Sequence, residues 1–275
     1  KLIDKMIDKF LEGKGTLITG AASGFGKGIA IAYAKRGADL ILVDVNEELL
    51  EKTTNEIKET SNQKVIPIVC DVSNSDQVKD MAKEAFKELN NIYILNTNAG
   101  VALNFGKDIM RIDEERFDKT LNINLKGQWL VAKEICRKMK RQDFEPIAGK
   151  VICTASIAGM IVDAKIPEYS ISKAGVIALM HLLARSLAPK ITVNSVSPGY
   201  HVTGIYDNRE DIMTMTMKEG NVKTPLNRLG TVQDVVNVML FLASEKSNFI
   251  TGHNIPVDGG IAEIGVPPHY FKSDI

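Results

Sequence analysis

Residues 16–44 read TLITGAASGFGKGIAIAYAKRGADLILVD, which is an apolar run, a glycine-rich turn, a helical stretch, a second apolar run and a carboxylate. Residues 16–19 and 40–43 are short strand candidates, and 40–43, like several further candidates, is nearly all apolar, the mark of strands covered on both faces in a parallel sheet. Between them, residues 25–36 carry apolar side chains at helical spacing. Gly37 stops that helix, because glycine takes the left-handed conformation that ends one. A strand, a helix and a strand in this order make a right-handed crossover unit.

The same alternation runs on through the chain. Further strands are expected at residues 65–69, 92–95, 151–154, 192–196 and 254–257, and further helices at 47–59, 76–89, 114–141, 168–187 and 232–244. Ser75 and Asp76 offer N-cap chemistry to the third helix. The fold class that follows is α/β: a Rossmann-like, doubly wound parallel sheet of about seven strands, flanked by helices in three layers. With no linker, repeat or low-complexity tract, residues 1–275 read as one domain. Residues 140–150 form a polar surface loop. Residues 199–227 make a connection long for a compact domain, expected to be a substrate loop.

Composition narrows the partners. Lysine plus arginine and aspartate plus glutamate both number 34, so no net charge draws the chain to nucleic acid or an anionic membrane. Hydrophobic residues at 44% and charged residues at 25% suit a globular domain with a full core. Cys70, Cys136 and Cys153 are odd in number and lack CxxC spacing, so they read as buried thiols in a reducing compartment. No stretch reaches the ~20 apolar residues of a membrane helix, and no secretion signal opens the sequence, so the cytoplasm is the expected location. No His, Cys and carboxylate cluster has metal-ligand spacing, and no metal is expected; His181 reads as a packed histidine.

The turn Thr19-Gly20-Ala21-Ala22-Ser23-Gly24-Phe25-Gly26 leads straight into a helix. Glycines let a backbone approach a pyrophosphate, and the helix N-terminus offers free N–H groups and partial positive charge. Asp44 ends the second strand, twenty positions beyond Gly24, where a dinucleotide fold sets the carboxylate that accepts from the adenosine ribose hydroxyls. That carboxylate would repel a 2′-phosphate, and Ala21, Ala22, Ser23, Val45 and Asn46 supply no compensating cation. NAD(H) is therefore favoured over NADP(H).

Further motifs follow in order: Cys70-Asp71-Val72 closing the third strand, Asn98-Ala99-Gly100 closing the fourth, Asn124 in INLKG and Ser156 in TASIAG. Tyr169 and Lys173 then stand in YSISK, thirteen residues beyond Ser156, and Pro198-Gly199 precedes Thr203. In these motifs, and over residues 15–260, the chain resembles the short-chain dehydrogenase/reductase family. The resemblance implies cofactor contacts from Gly20, Ser23, Gly24, Phe25, Gly26, Asp44, Val45, Asp71, Val72, Asn98, Ala99, Gly100, Tyr169, Lys173, Pro198, Gly199, His201 and Thr203, and a catalytic set of Asn124, Ser156, Tyr169 and Lys173. Asp71 would meet the adenine, Asn124 would hold a water connecting Lys173 to solvent, and residues 198–203 would contact the nicotinamide carboxamide. His201 stands where an aliphatic residue is usual: either its backbone N–H serves unchanged, the preferred reading, or its ring reaches the substrate. Thr97 and Tyr93 also depart from the family pattern, with expected effects on strand support.

The chemistry explains why these residue types belong together. Reducing a ketone takes a hydride and a proton. Tyr169 can give the proton, but a phenol with pKa ~10 is a poor base near neutrality. Lys173, one turn on and on the same helix face, stabilises the phenolate by its charge. Ser156 would donate to the substrate oxygen. The expected activity is hydride transfer between NAD(H) and a secondary alcohol or ketone of a small molecule, by an alcohol dehydrogenase or carbonyl reductase. Two alternatives are an NADP-dependent 3-oxoacyl-[acyl-carrier-protein] reductase, against which Asp44 argues, and an NAD(H)-binding regulator or scaffold, against which the intact catalytic set argues. Met213, Met215 and Met217 read either as an adaptable apolar lid or as the buried side of a short element. Apolar residues on the helices of 114–141 and 168–187, including Trp129, Leu130, Met180, Leu182 and Leu183, point to a homo-oligomer, a dimer or a tetramer.

Overall fold

The computed structural model describes residues 8–201 and 210–267, with the side chains of 210–212 and 215 left out. Seven strands form one parallel sheet: β1 (Gly15–Thr19), β2 (Asp39–Asp44), β3 (Val65–Val69), β4 (Ile94–Thr97), β5 (Gly149–Thr154), β6 (Ile191–Pro198) and β7 (Asn254–Val257). Their order across the sheet is β3-β2-β1-β4-β5-β6-β7. Helices α1 (Gly24–Lys35), α2 (Glu47–Thr60), α3 (Ser75–Glu88), α4 (Glu114–Leu121), α5 (Gln128–Met139), α6 (Pro167–Leu187), α7 (Glu210–Lys223), α8 (Val232–Ala243) and the short α9 (Ile261–Ile264) connect and cover them.

Alternation along each strand sends neighbours to opposite faces, so every strand feeds two cores. Leu17, Ile41, Leu95, Val151 and Val193 pack with α3, α5 and α6. Ile18, Leu40, Leu42, Ile94 and Ile152 pack with α1, α2 and α8. The three layers expected from sequence are thus present. The chain reverses its direction of travel across the sheet between β1 and β4, which leaves a crevice at their carboxyl ends, where ligands of open α/β sheets bind.

Several boundaries differ from expectation. The fourth strand runs two residues later than residues 92–95, because Asn96 and Thr97 are fully buried yet paired. Asn96 Nδ2 donates to the Tyr33 hydroxyl (3.3 Å), and the Thr97 hydroxyl donates to Gln128 Oε1 (2.8 Å). The cap of α3 is Asn74, whose Oδ1 accepts from the N–H groups of Asp76 and Gln77, and not Ser75 or Asp76. The single helix expected over 114–141 is wound as a π-helical turn over Asn122–Gly127, between α4 and α5. Inside the long connection lies α7, where Met213 is half-buried and Met217 exposed. His181 is exposed on α6 and not packed. Leu130 and Met180 belong to the core, while Trp129 and Leu182 are exposed and Leu183 is half-buried; Ile171 on α6 is exposed as well. Cys70, Cys136 and Cys153 are free and buried. Among the described residues no helix is long and apolar enough to cross a membrane.

One buried charge sits at the opposite end of the sheet. Lys150 on β5 is 1% exposed, donates to Ser247 Oγ at 2.9 Å, and has its pKa lowered by burial to about 8. The unfolded chain, with the ordinary lysine value near 10.4, binds more protons between about pH 8 and 10, so stability contributed at this site rises with pH across that window. Lys150→Met is expected to stabilise the fold at pH 7 by roughly 1–2 kcal/mol, since replacing a buried charge by an apolar group of similar volume is commonly neutral or stabilising. Thermal unfolding at pH 7 and pH 10 checks this: the gain should shrink at pH 10, and a variant less stable at pH 7 contradicts it.

Candidate active site

The crevice at the carboxyl edge is a cleft of about 690 Å³. At its base the glycine-rich turn is held against β4. Gly20 has φ +67°, and a Cβ added there would sit 2.8 Å from the Ala99 Cα. A Cβ on Gly26 would fall on the carbonyl oxygen of Gly20, so both positions need glycine for close packing of turn and helix. Asn98 Nδ2 donates to the carbonyls of Thr19 (3.2 Å) and Gly20 (3.3 Å), while the Thr19 hydroxyl accepts from the N–H groups of Asn98 (2.9 Å) and Ala99 (3.1 Å). The Asn98-Ala99 corner therefore braces the turn. Ser23 begins α1 without a side-chain cap, and the opening of that helix, with Gly24 and Phe25, lines the cleft. Uncapped N–H groups and a backbone cradle that a Cβ would fill fit a pyrophosphate.

Asp44 stands at the end of β2. Its Oδ2 accepts from the N–H of Ala22 and its Oδ1 from that of Asn46, both at 3.0 Å. The carboxylate is fixed to the turn at the cleft wall, beside Val45, which is 69% exposed. At the end of β3, the Asp71 carboxylate accepts from the N–H and hydroxyl of Ser73 (2.9 and 2.7 Å), and Val72 packs against Gly127.

On the far side of the cleft, Ser156, Tyr169 and Lys173 converge. Pro167 starts α6 in the first-turn position that suits proline, and Tyr169 and Lys173 lie one turn apart along it. Both are buried but line the cleft. Ser156 caps a 3-10 turn over Ile157–Gly159, its Oγ accepting from the N–H of Ala158 at 3.2 Å, which leaves the hydroxyl hydrogen able to donate. That turn is pressed onto α6: a Cβ on Gly159 would lie 2.5 Å from the Lys173 carbonyl carbon. Glycine there lets the turn that carries the serine pack directly on the α6 backbone at Lys173 and Ala174, a signal that only the fold reveals. Lys173 Nζ donates to the Thr154 carbonyl at 2.8 Å and lies 5.6 Å from the centre of the Tyr169 ring; burial lowers its pKa to about 8. It is still largely an ammonium at neutrality.

Asn124 does not line the cleft. Its Oδ1 accepts from the N–H of Val101 (2.8 Å), and its Nδ2 donates to the Val101 carbonyl (2.9 Å) and to Ser172 Oγ (3.0 Å). The amide is committed to holding residues 100–102, so the side chain positions that wall beside Lys173. The π-helical turn that carries it is a rare winding that frequently marks functional sites. Gln128, unnoticed in the sequence, links Thr97 to the Thr154 carbonyl (3.2 Å) and so supports the acceptor of Lys173.

Pro198 ends β6 at the cleft, and Gly199 and His201 follow it there. The His201 ring meets Phe25 edge-on at 5.3 Å, abuts Gly230, and places Nδ1 3.1 Å from the Gly199 carbonyl; burial lowers its pKa. The ring is thus packed between the turn and the start of α8. Thr203 lies outside the described residues. Tyr93 is buried against Phe144, with the Lys14 ammonium 5.0 Å above its ring. It supports the sheet.

Comparison with known proteins follows this geometry. A family model described as enoyl-(acyl carrier protein) reductase matches residues 20–262. A 3-oxoacyl-[acyl-carrier-protein] reductase of Thermotoga maritima is 34% identical over 254 residues, covering 91% of this chain and 98% of that one. A short-chain type dehydrogenase/reductase from Mycobacterium marinum superposes with a TM-score of 0.83 at 35% identity, over 94% of this chain and 98% of the other. An NAD+-bound xylitol dehydrogenase does so with a TM-score of 0.83 at 29% identity, over 91% and 99%.

Proposed function

The chain belongs to the short-chain dehydrogenase/reductase family of oxidoreductases, which bind nicotinamide cofactors, and we propose that it moves a hydride between NAD(H) and the carbinol or carbonyl carbon of a small molecule. Residues 1–275 act as one catalytic domain, with 199–227 as the substrate loop. The observation that carries the reading is the convergence of Ser156, Tyr169 and Lys173 at the cleft that the glycine-rich turn closes at its other side.

A bound nicotinamide would give or take the hydride at C4. Every other function falls to the chain. Ser156 donates to the substrate oxygen, Tyr169 passes a proton to or from that oxygen, and the Lys173 ammonium favours the phenolate form of Tyr169. Asn124 holds the wall beside them. The turn with Gly20, Ser23, Gly24, Phe25 and Gly26 takes the pyrophosphate, Asp71 and Val72 flank the adenine, Asn98 to Gly100 underlie the nicotinamide half, and Pro198, Gly199, His201 and Thr203 border the carboxamide. The exposed Trp129 and Leu182 mark the face by which copies of the chain pair as a dimer or tetramer.

Two features bear on the cofactor, and they pull apart. The relatives named as 3-oxoacyl-[acyl-carrier-protein] reductases favour a second reading, reduction of a carrier-bound 3-oxoacyl group with NADPH. Asp44 favours NAD(H), because its fixed carboxylate would face a 2′-phosphate with no basic neighbour at Val45 or Asn46. Titration with NADH and NADPH is expected to give at least a tenfold preference for NADH, about 1.4 kcal/mol. Asp44→Ala combined with Val45→Arg should move that preference toward NADPH by a further one to two orders of magnitude, roughly the reach of one charge-assisted contact. Tighter NADPH binding by the unmodified chain overturns the NAD assignment.

A further inference from the structure

The cleft carries a second message in the residues that surround the catalytic hydroxyls. Two segments wall that end. One follows β4 and contributes Val101, Ala102 and Phe105; the other joins Ser156 to α6 and contributes Ile161, Val162 and Ile166. They are fastened together: the Gly106 N–H donates to the Lys165 carbonyl at 2.7 Å, and Glu168 Oε1, on a fully buried side chain at the start of α6, accepts from the Asn104 N–H at 3.1 Å. The wall is therefore a fixed apolar surface. Ile161 is 44% exposed and Val162 80% exposed at its edge, a large apolar area left open to the cleft and its mouth.

The charges nearby are already satisfied by one another. Glu219 on α7 accepts from Lys165 Nζ through Oε1 (2.9 Å) and from Lys223 Nζ through Oε2 (2.7 Å), so both its oxygens are taken. Asp163 lines the cleft beside them, its Oδ1 accepting from the Lys165 N–H at 2.9 Å. Among the described residues the substrate end of the cleft is lined by the cations Lys165, Lys173 and Lys223 and by the carboxylates Asp163 and Glu219, Asp44 and Asp71 lie at its adenosine end, and no arginine lines it. Lys173 is committed beneath Tyr169.

From this we infer that the substrate is a neutral, largely apolar secondary alcohol or ketone, of the alicyclic or aryl-alkyl kind, and is neither an acid, a polyol nor a carrier-bound thioester. The inference rests on the hydride-transfer reading above and names the substrate class of that same site. A substrate carboxylate or phosphate would have to compete with Glu219 for its two partners, Lys165 and Lys223, with the Asp163 carboxylate beside them. Each hydroxyl of a polyol laid against the apolar wall would lose water without gaining a partner. An apolar ring gains from the same wall in proportion to the apolar area it covers.

The test compares substrates on the full chain with NADH or NAD+ supplied. Cyclohexanone, acetophenone and 1-phenylethanol represent the neutral class; acetoacetate, xylitol and acetoacetyl-coenzyme A represent the others. The neutral compounds are expected to show kcat/KM about 100-fold higher, as two unsatisfied polar groups would require. Comparable or higher values for the acid, polyol or thioester overturn the inference and leave hydride transfer standing. In parallel, the thermal midpoint of the NADH complex is measured with each compound. Stabilisation by the neutral set without any oxidation of NADH supports the substrate class while refuting hydride transfer, and no stabilisation and no turnover with the neutral set refutes the inference. Ile161→Asp should raise KM for acetophenone about tenfold with NADH affinity unchanged, the effect of one charge on an apolar contact surface; an unchanged KM contradicts the role of the wall.

Discussion

Tyr169→Phe is expected to fold, bind NADH as the parent does, and lose turnover by roughly 10²- to 10⁴-fold, the usual contribution of a positioned proton donor. The substitution removes one oxygen atom and keeps the ring. Tyr169 is buried at the edge of α6 with its aromatic face toward the Lys173 ammonium, so phenylalanine retains the carbon packing on which the cleft depends. The pyrophosphate and ribose contacts assigned to the glycine-rich turn and Asp44 do not use the hydroxyl that is removed, which is why cofactor affinity should hold. The loss must fall on kcat and on kcat/KM together, because the hydroxyl acts on the reacting oxygen and not on remote parts of the substrate. Steady-state NADH absorbance and NADH fluorescence titration of the same preparation decide the matter. A rate near that of the parent would refute the proton-transfer role.

Lys173→Met is the second large effect, and its sign can be worked out. Burial holds the Lys173 pKa down at about 8, so the ammonium is present at neutrality and fades above that pH. While present it favours phenolate over phenol at Tyr169, whose ordinary pKa is ~10. Methionine fills much the same volume and removes the charge. Alcohol oxidation, which needs the phenolate, should therefore fall by about 10²-fold or more at pH 7, and its rising limb should move to higher pH. A merely structural role would not shift that limb. The apoprotein should not be destabilised at pH 7, because the buried ammonium is gone; the Thr154 carbonyl keeps its bond from Gln128 Nε2. An unshifted pH profile contradicts the assigned role.

The sequence made much of this legible because the relevant signals are local. Residues 40–43 are buried on both faces and are apolar throughout, residues 16–19 are equally buried with threonine at either end of an apolar pair, and Gly20, Gly26 and Gly37 occupy backbone positions that exclude a side chain or take positive φ. Tyr169 and Lys173 declare themselves by a spacing that puts them on one helix face. What hid was whatever depends on partners distant in sequence. Asn96 and Thr97 extend β4 because Tyr33 and Gln128 satisfy them, and hydrophobicity alone ends that strand at Leu95. In the run SNSD around residues 73–76, each residue could cap α3, and the direction in which the chain enters selects Asn74. The π-helical winding at Asn122–Gly127 is a shift in backbone hydrogen bonding that side-chain pattern does not encode. The alternating methionines of α7 fit a strand period as well as a helix and left both open; the element is a helix whose cleft face is Thr216, Glu219 and Lys223. Gly159 is pressed against the α6 backbone at Lys173 and Ala174, partners that its place after Ser156 in the sequence does not disclose.

The account turns on whether hydrogen moves as hydride from the cofactor to a carbon held beside Tyr169. Incubating the full chain with NADH deuterated at C4 and acetophenone, and reading the product by mass spectrometry, tests this directly. The account predicts one deuterium on the carbinol carbon of 1-phenylethanol for each NADH of the transferring face consumed, and no label with Tyr169→Phe over the same interval. Product without label, or label that appears equally in the Tyr169→Phe reaction, would contradict it.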